Sequence, residues 1–591
     1  MKFLKIFLAS LLAVVVGGVV SSLLWLFVII GLAGSIESNI EVKTNSVLVI
    51  DFAEDITDAP AANPFGSIDF NTFTIHKQLS LAQVLRSIEA AKKDDRIKGI
   101  YLRLNGSGSA DIAAIEEMRT AIEAFKQSGK FVVSYNEGYD QRDYYLASVA
   151  DKIYLQPEGG MNWRGLSSTL IFYTGLFEKL DISVDIFRPT ACKYKSAVEP
   201  YFLKKMSAEN RRQMASLANS SWEVILDAVS TSRGIDKKEL NRLADQLAVT
   251  MPEEALKHKF VDALIYEDQM NDIFKELGVE LNNDGECEMV SLGNYAAQVV
   301  DLQNISADKV AIVYAQGQIL DGTGEQEAIY GETMAETIKS VRLDDKVKAV
   351  VLRVNSPGGS ALASDVIWRE IELLKAKKPI VVSMGSMAAS GGYYISAPSD
   401  VIVANKMTLT GSIGVFGMIM NPNKLLTNKV GVTFDSVETN QHSTFGSFGH
   451  NIDAVERAVL MKSVDKVYTR FTSLVAEGRN LPIEKVLDLA AGRVWTGVQA
   501  QENGLVDTLG GLSTAVALAA EKANLENYRI HEVTSVEDPL TALLSGFGAK
   551  VRASVLRSEM GSETYTQYNK IKSVISKNGV MAMMPYEIVF E

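Results

Sequence analysis

Chemistry could start in this sequence at Met387-Ala-Ala-Ser-Gly-Gly-Tyr-Tyr394, a serine set among small residues. A serine hydroxyl is a weak nucleophile until a base at hydrogen-bond reach takes its proton. Gly391 and Gly392 leave the approach to Ser390 open, and a helix beginning there would turn backbone N–H groups toward a reacting carbonyl, where negative charge develops. The same residues would also let a helix pack closely on a sheet, and alone they favour that plainer reading. Ser356-Pro-Gly-Gly-Ser360 brings a glycine pair, where backbone can come close to a substrate because no side chain intervenes. An ordinary Pro-Gly turn between strand and helix is its commoner use. Thr410-Gly-Ser-Ile-Gly414 adds Ser412, and Lys193-Tyr-Lys-Ser-Ala-Val-Glu-Pro200 adds lysines. A lysine is a base only when neutral, so burial would have to bring its pKa down from about 10.4. Composition does not choose among Lys193, Lys195, Lys204 and Lys205.

Other chemistries find less support. The histidines (His76, His258, His442, His450, His531) show no metal-ligand spacing and none adjoins a nucleophile motif. Cys192 and Cys287 fit neither a zinc pattern nor a disulfide framework. No metal and no organic cofactor is required. A net charge of −13 without any basic block argues against a nucleic-acid partner, which needs a surplus of Lys and Arg on one face.

The elements that would position these residues occur twice. Ser46–Ile50 matches Lys309–Val313, Lys98–Asn105 matches Lys348–Asn355, Lys130–Ser134 matches Pro379–Ser383 and Asp151–Tyr154 matches Asp400–Val403. Tyr144-Tyr145 matches Tyr393-Tyr394, and Phe260-Val-Asp262 matches Leu505-Val-Asp507. The offset stays near 250 residues, which marks a tandem duplication. The apolar, β-branched runs read as buried strands, and helix-period stretches such as Leu81 to Lys92, Ala113 to Phe125 and Ala361 to Leu374 lie between them. Alternating strands and helices predict α/β layers with parallel sheets. Longer helices are expected at Asn210 to Val229 and Asp453 to Glu477. The repeats are placed at 46–290 and 305–535, with linker candidates at Leu281–Glu286 and Asn304–Asp308. Residues 536–591, including the Met-rich Met581–Met584, form an extension without a readable signal.

The copies differ where chemistry is in question. The first reads Gly106-Ser-Gly-Ser109 in place of the Pro-Gly-Gly segment, Gln141 stands opposite Ser390 and Trp163 opposite Ser412. Lys195 and its neighbours have no lysine counterpart in the second copy, which reads Ser443-Thr-Phe-Gly-Ser-Phe there. Serines reside in one half and the lysine in the other.

Before the repeats, Ile6 to Ile36 carries no charge and exceeds the roughly 20 apolar residues that span a bilayer. The apolar part of a cleaved signal peptide is shorter, about 7–15 residues, so residues 1–45 are expected to be a retained anchor. Lys2 and Lys5 place the N-terminus in the cytoplasm, and the repeats outside it, in the periplasm of a Gram-negative cell.

Asn-Ser-Pro-Gly-Gly-Ser, Met-Ala-Ala-Ser-Gly-Gly-Tyr, Thr-Gly-Ser-Ile-Gly and Tyr-Lys-Ser-Ala-Val-Glu-Pro behind one span resemble the signal peptide peptidases of the protease IV type, over nearly the whole chain to about residue 530. The resemblance implies a tandem ClpP/crotonase-like α/β fold and a Ser/Lys serine protease completed between the repeats. Ser390 would be the nucleophile, Lys195 the general base, Ser412 the group that orients it, and the amides of Gly359 and Gly391 the oxyanion hole. It also implies signal peptides and other short hydrophobic or unfolded polypeptides as substrates, and a homotetramer. Two rivals remain at this stage. A crotonase-type enzyme acting on acyl-CoA is weakened by export, and a membrane-anchored scaffold that only binds peptides is weakened by the intact serine, lysine and glycine pair.

Overall fold

The computed structural model describes residues 42–52, 55–60, 78–104, 110–299, 306–324, 328–447 and 450–533, with the strand Gly579–Met583 and a few isolated positions. Apart from Gly17 and Gly18, the expected span lies outside the described residues, as does the loop at Gly106–Ser109. Among the described residues no helix is long and apolar enough to cross a membrane.

Each repeat is built on a parallel sheet. In the first, the strand order is Ala263–Leu264, Lys152–Met161, Phe131–Tyr139, Ile97–Arg103, Ser46–Asp51 and Met289–Ser291, every neighbouring pair parallel. Parallel neighbours need long crossovers, which helices such as Leu81–Lys93 and Ile112–Lys126 supply. Ser80 starts the first of these with a capping box, its hydroxyl accepting from the Gln83 N–H while the Gln83 side chain accepts from the Ser80 N–H. The second sheet repeats the scheme with Thr508–Leu509, Val401–Ala404, Ile380–Ala389, Val347–Ser356, Lys309–Gln316 and Arg529–Val533, and Ile380–Ala389 also pairs with Leu409–Gly411, beside the antiparallel strand Val494–Thr496.

Equivalent side chains do equivalent work in the two units. The Tyr144 hydroxyl donates to the Phe260 carbonyl at 2.8 Å, and that of Tyr393 to the Leu505 carbonyl at 2.8 Å. The Asp262 carboxylate accepts from the Ile153 amide, and that of Asp507 from the Ile402 amide. The matched helices Ala208–Arg233 and Ala454–Arg479 are both present. Leu281–Glu286 is a turn closed by a bridge between Leu281 and Cys287, and the chain then returns to the first sheet at Met289–Ser291. The passage to the second sheet therefore falls after Val299, because that short strand buries Val290 against the first core.

The units share one core. Leu81, Leu85 and Ile88 of the first pack in the same apolar cluster as Val310, Ile312 and Val516 of the second. A third sheet joins them again, in the order Ile329–Tyr330, Ile319–Leu320, Gly358–Ser360, Gly579–Met583, Phe416–Asn421 and Ser183–Phe187. Its last strand comes from the first repeat and pairs antiparallel with Phe416–Asn421 of the second. That exchange carries the segment after Phe187, including Lys195, into the other unit.

Candidate active site

Ser390 stands at the junction between the strand Ile380–Ala389 and the helix Gly391–Ser396. Its backbone is at φ 57°, ψ −113°, a region that L-residues rarely occupy, at a cost of about 1–3 kcal/mol. The surroundings hold it there, since its N–H donates to the Gly411 carbonyl at 2.8 Å and its carbonyl accepts the Tyr394 N–H at 2.8 Å. Ser412 also has positive φ, 49°, and its N–H donates to the Arg493 carbonyl. No sequence pattern announced either strained residue.

The Lys195 side chain enters from the first repeat. Its Nζ lies 2.7 Å from Ser390 Oγ, 2.9 Å from Ser412 Oγ and 2.9 Å from the Ser412 carbonyl oxygen. All three residues are buried. A neutral amine has two N–H groups and one lone pair, so donating twice to Ser412 leaves the lone pair for the Ser390 hydroxyl proton. Burial pushes Lys195 down to about 7, and no carboxylate opposes it. The one nearby group acting the other way, Cys192, is itself pushed up to about 11 by burial and so carries no charge near neutral pH. The lysine can therefore take a proton at neutral pH.

Several contacts that hold the lysine were not foreseen. The Tyr194 N–H donates to the Ala491 carbonyl at 2.9 Å, and Arg188 Nη1 donates to the Lys195 carbonyl at 3.0 Å. Gln213 bridges the repeats, its Oε1 accepting from the Val494 amide at 2.9 Å and its Nε2 donating to Ser196 Oγ at 3.4 Å. Gly492 must be glycine, because its φ is +76° and a Cβ there would lie 2.5 Å from that of Lys195. The Gly-Arg-Val-Trp run at 492–495 was a visible signal in an otherwise helical region, whereas nothing marked Gln213.

Gly391 follows the serine directly, and Gly359 lies in the strand Gly358–Ser360, opposite Ile319. A Cβ on Gly359 would come within 1.9 Å of the Ile319 carbonyl oxygen, so only glycine allows this approach. Ser390, Lys195 and Ser412 thus form one cluster, with Gly391 adjoining the serine and Gly359 next to Gly358, whose Cα a Cβ on Gly391 would approach to 3.1 Å. Tyr393 and Tyr394 are core residues. Among the described histidines none bonds Ser390; His442 and His450 face Glu456 instead.

Among the described residues the first repeat has no such cluster at the equivalent place. Gln141, opposite Ser390, uses its side-chain oxygen to accept the amides of Arg164 and Gly165, and Trp163, opposite Ser412, is buried with its Nε1 donating to the Leu240 carbonyl. The places that Ser390 and Ser412 hold in the second repeat are thus taken in the first by side chains that bond to backbone.

Residues 124–281 and 372–526 match Peptidase family S49, one match in each repeat. The chain is 36% identical over 530 residues to Protease 4 of Salmonella typhi, covering 87% of this chain and 84% of that protein. Protease 4 of Haemophilus influenzae is 36% identical over 77% of this chain and 75% of its own length. The chloroplastic serine protease SPPA of Arabidopsis thaliana is 34% identical over 80% of this chain and 70% of its own.

Proposed function

The chain belongs to Peptidase family S49 and is a serine peptidase; from that premise we propose that it is a membrane-anchored endopeptidase which degrades cleaved signal peptides and other short apolar or unfolded polypeptides. The observation that carries the reading is the buried, carboxylate-free contact of Lys195 Nζ with Ser390 Oγ at 2.7 Å. Ser390 Oγ attacks the peptide carbonyl carbon as Lys195 takes its proton, and the oxyanion is held by the amides of Gly359 and Gly391. The C–N bond then breaks and Lys195 gives that proton to the departing amine. Water attacks the resulting ester as Lys195 accepts its proton, and Lys195 passes that proton to Ser390 Oγ as the C–O bond breaks and the acid product leaves. Ser412 keeps the amine aimed. The anchor, the extracytoplasmic repeats, a ClpP/crotonase-like unit in each repeat and a homotetramer belong to the same reading; the apolar stretch Ile6–Ile36 supports the anchor, the duplication supports the paired units, and the tetramer follows from the family resemblance. A relative from Enterococcus faecium, named a putative signal peptide peptidase SppA, is 39% identical over 35% of this chain and supports the substrate class.

The test is to incubate the full chain in membranes with a synthetic signal peptide and to follow fragments and Ser390 labelling by a fluorophosphonate. Internal cleavage with a covalent adduct on Ser390 is expected. Binding of the peptide without cleavage or labelling would assign a scaffold instead.

The pH profile gives a second check. Because Lys195 sits at about 7 and only its neutral form accepts a proton, single-turnover acylation is expected to rise with pH and level off above neutrality. At pH 6 the rate should be about a tenth of the plateau, since about one lysine in ten is then neutral. A flat profile from pH 5.5 to 9 would exclude this lysine as the base.

A further inference from the structure

The loop that follows the strand Phe416–Asn421 ends in a cluster that the acyl transfer does not use. Residues 431–447 form neither helix nor strand, and all of them are exposed except His442 and Thr444. Those two reach toward the start of the helix Ala454–Arg479, His442 to Glu456 directly and Thr444 through His450.

The helix start fixes two carboxylates. Asp453 and Glu456 form a capping box, in which Asp453 Oδ1 accepts the Glu456 N–H at 2.8 Å and Glu456 Oε2 accepts the Asp453 N–H at 3.0 Å. The box occupies one oxygen of each carboxylate. The other two, Asp453 Oδ2 and Glu456 Oε1, converge on His442 Nδ1 at 3.4 and 3.2 Å. Among the described residues this is the one group of three His, Cys, Asp or Glu side chains whose ligand atoms all lie within 4.8 Å of one another. A single ring N–H cannot point at two acceptors at once, whereas a cation between the three atoms serves them all. A tetrahedral ion with bonds of about 2.0–2.1 Å holds its ligand atoms roughly 3.3 Å apart, which is the spacing on both sides of this imidazole.

His450 supports the group from outside. Its Nε2 donates to Glu456 Oε2 at 2.7 Å and its Nδ1 accepts from the Thr444 hydroxyl at 3.2 Å, so the carboxylate is held as the ligands of metal sites are held by their outer partners. A helix N-terminus carries roughly half a positive charge and opposes a cation, but two carboxylates outweigh it. The Glu456 side chain is 3% exposed, while those of His442 and Asp453 are 34% and 44% exposed, which leaves an ion a route in from solvent.

We propose that His442 Nδ1, Asp453 Oδ2 and Glu456 Oε1 bind a divalent transition-metal ion of the zinc class, and that the ion pins the loop 431–447 to the helix Ala454–Arg479. An imidazole with two carboxylate oxygens suits zinc better than magnesium or calcium, which take oxygen ligands, or copper(I), which takes sulfur. Water completes the fourth position. The role is structural, because the ion closes a long loop that otherwise keeps nearly all its side chains in solvent. The spacing of His442 and His450 matches no zinc pattern in sequence, and only the fold brings the ligands together.

The test titrates the chelator-treated full chain, in detergent, with zinc chloride against a chromogenic zinc indicator. One ion per chain is expected in the wild type, and Glu456→Gln and Asp453→Asn should each weaken binding by roughly a hundredfold or more. Both variants keep a side chain that caps the helix, so lost binding is separated from a lost helix start. His450→Asn, which removes only the outer support, should cost about tenfold. The second readout is chymotrypsin cleavage at Phe434 and Phe445, which saturating zinc should slow about tenfold in the wild type and leave unchanged in Glu456→Gln. Neither readout depends on peptidase activity. A wild type that binds no zinc, or binding that Glu456→Gln and Asp453→Asn leave unaltered, would overturn the site and assign a cluster held by hydrogen bonds alone. Zinc bound at these residues with loop cleavage unaffected would overturn the pinning.

Discussion

Lys195→Met is expected to lower kcat/KM against an apolar peptide by a factor on the order of 10⁴ or more, with the overall fold retained. Methionine has nearly the same length and is at home in a buried site, so packing is kept while the amine that contacts Ser390 Oγ at 2.7 Å is lost. Lys195→Arg should be as inactive, because a guanidinium stays protonated and has no lone pair to offer. Ser390→Ala should fall as far, and the double variant should be no worse than the more damaged single one, since nucleophile and base act as a unit. Ser412→Ala removes one of two acceptors that Ser412 offers the amine and keeps its carbonyl, so a milder loss, roughly 10- to 100-fold, is expected. If Lys195→Met kept more than a hundredth of the activity with an unchanged pH profile, the base would have to be another group. Unfolding temperatures measured alongside separate lost chemistry from lost folding.

The parts of this centre that were legible in the sequence are those encoded by short-range pattern. Strands such as Lys309–Gln316 and Val347–Ser356 are runs of apolar, β-branched residues, and parallel pairing buries both their faces, so the runs are continuous and stand out. Helices at Leu81–Lys93 and Ala361–Lys375 carry a serine cap and an apolar face, which place them within a residue or two. Ser390 was visible because its counterpart Gln141 broke the repeat. The choice of Lys195 over its neighbours rested on the family pattern, because burial is a tertiary property: Lys193 is exposed and Lys195 is not. The strand Ser183–Phe187 crossing to the other repeat, and Gly579–Met583 joining the third sheet between Gly358–Ser360 and Phe416–Asn421, depend on which sheet edges are open, and local sequence carries no record of that. Asp58, Glu117 and Arg353 are charged residues that no local pattern marks as buried, yet all three are.

Those charges give the largest expected effect on stability. Arg353 lies in the strand leading to the Pro-Gly-Gly segment and is 1% exposed. Its Nε and Nη2 donate to Asp58 Oδ1 at 2.9 and 2.7 Å, and its Nη1 donates to Glu117 Oε1 at 2.9 Å and Ser383 Oγ at 2.8 Å. Both carboxylates belong to the first repeat, so a single guanidinium ties the units together at the strand that leads to Gly358 and Gly359. Glu117 also accepts from Asn405 Nδ2 and from the Leu512 amide, both in the second repeat. Removing one partner of a buried ion pair strands the other charge at a cost of about 3–5 kcal/mol. Arg353→Met is therefore expected to lower the unfolding temperature by roughly 10 °C, taking about 2–4 °C per kcal/mol for units of this size. Arg353→Lys should recover little, because one ammonium cannot replace the forked contact with two carboxylates. The pH dependence identifies the cause. Burial holds Asp58 at about 6 against an ordinary 3.8, even with the arginine in place. Between those values the folded chain binds more protons than the unfolded one, so the contribution of this group falls as pH rises. Without Arg353 the carboxyl moves higher still, and the loss continues to higher pH. The deficit of Arg353→Met relative to wild type should thus be larger at pH 8 than at pH 5.5, and Arg353→Met combined with Asp58→Asn should regain part of it at pH 8. A deficit independent of pH, unrelieved by Asp58→Asn, would mean that lost packing and not stranded charge explains the damage.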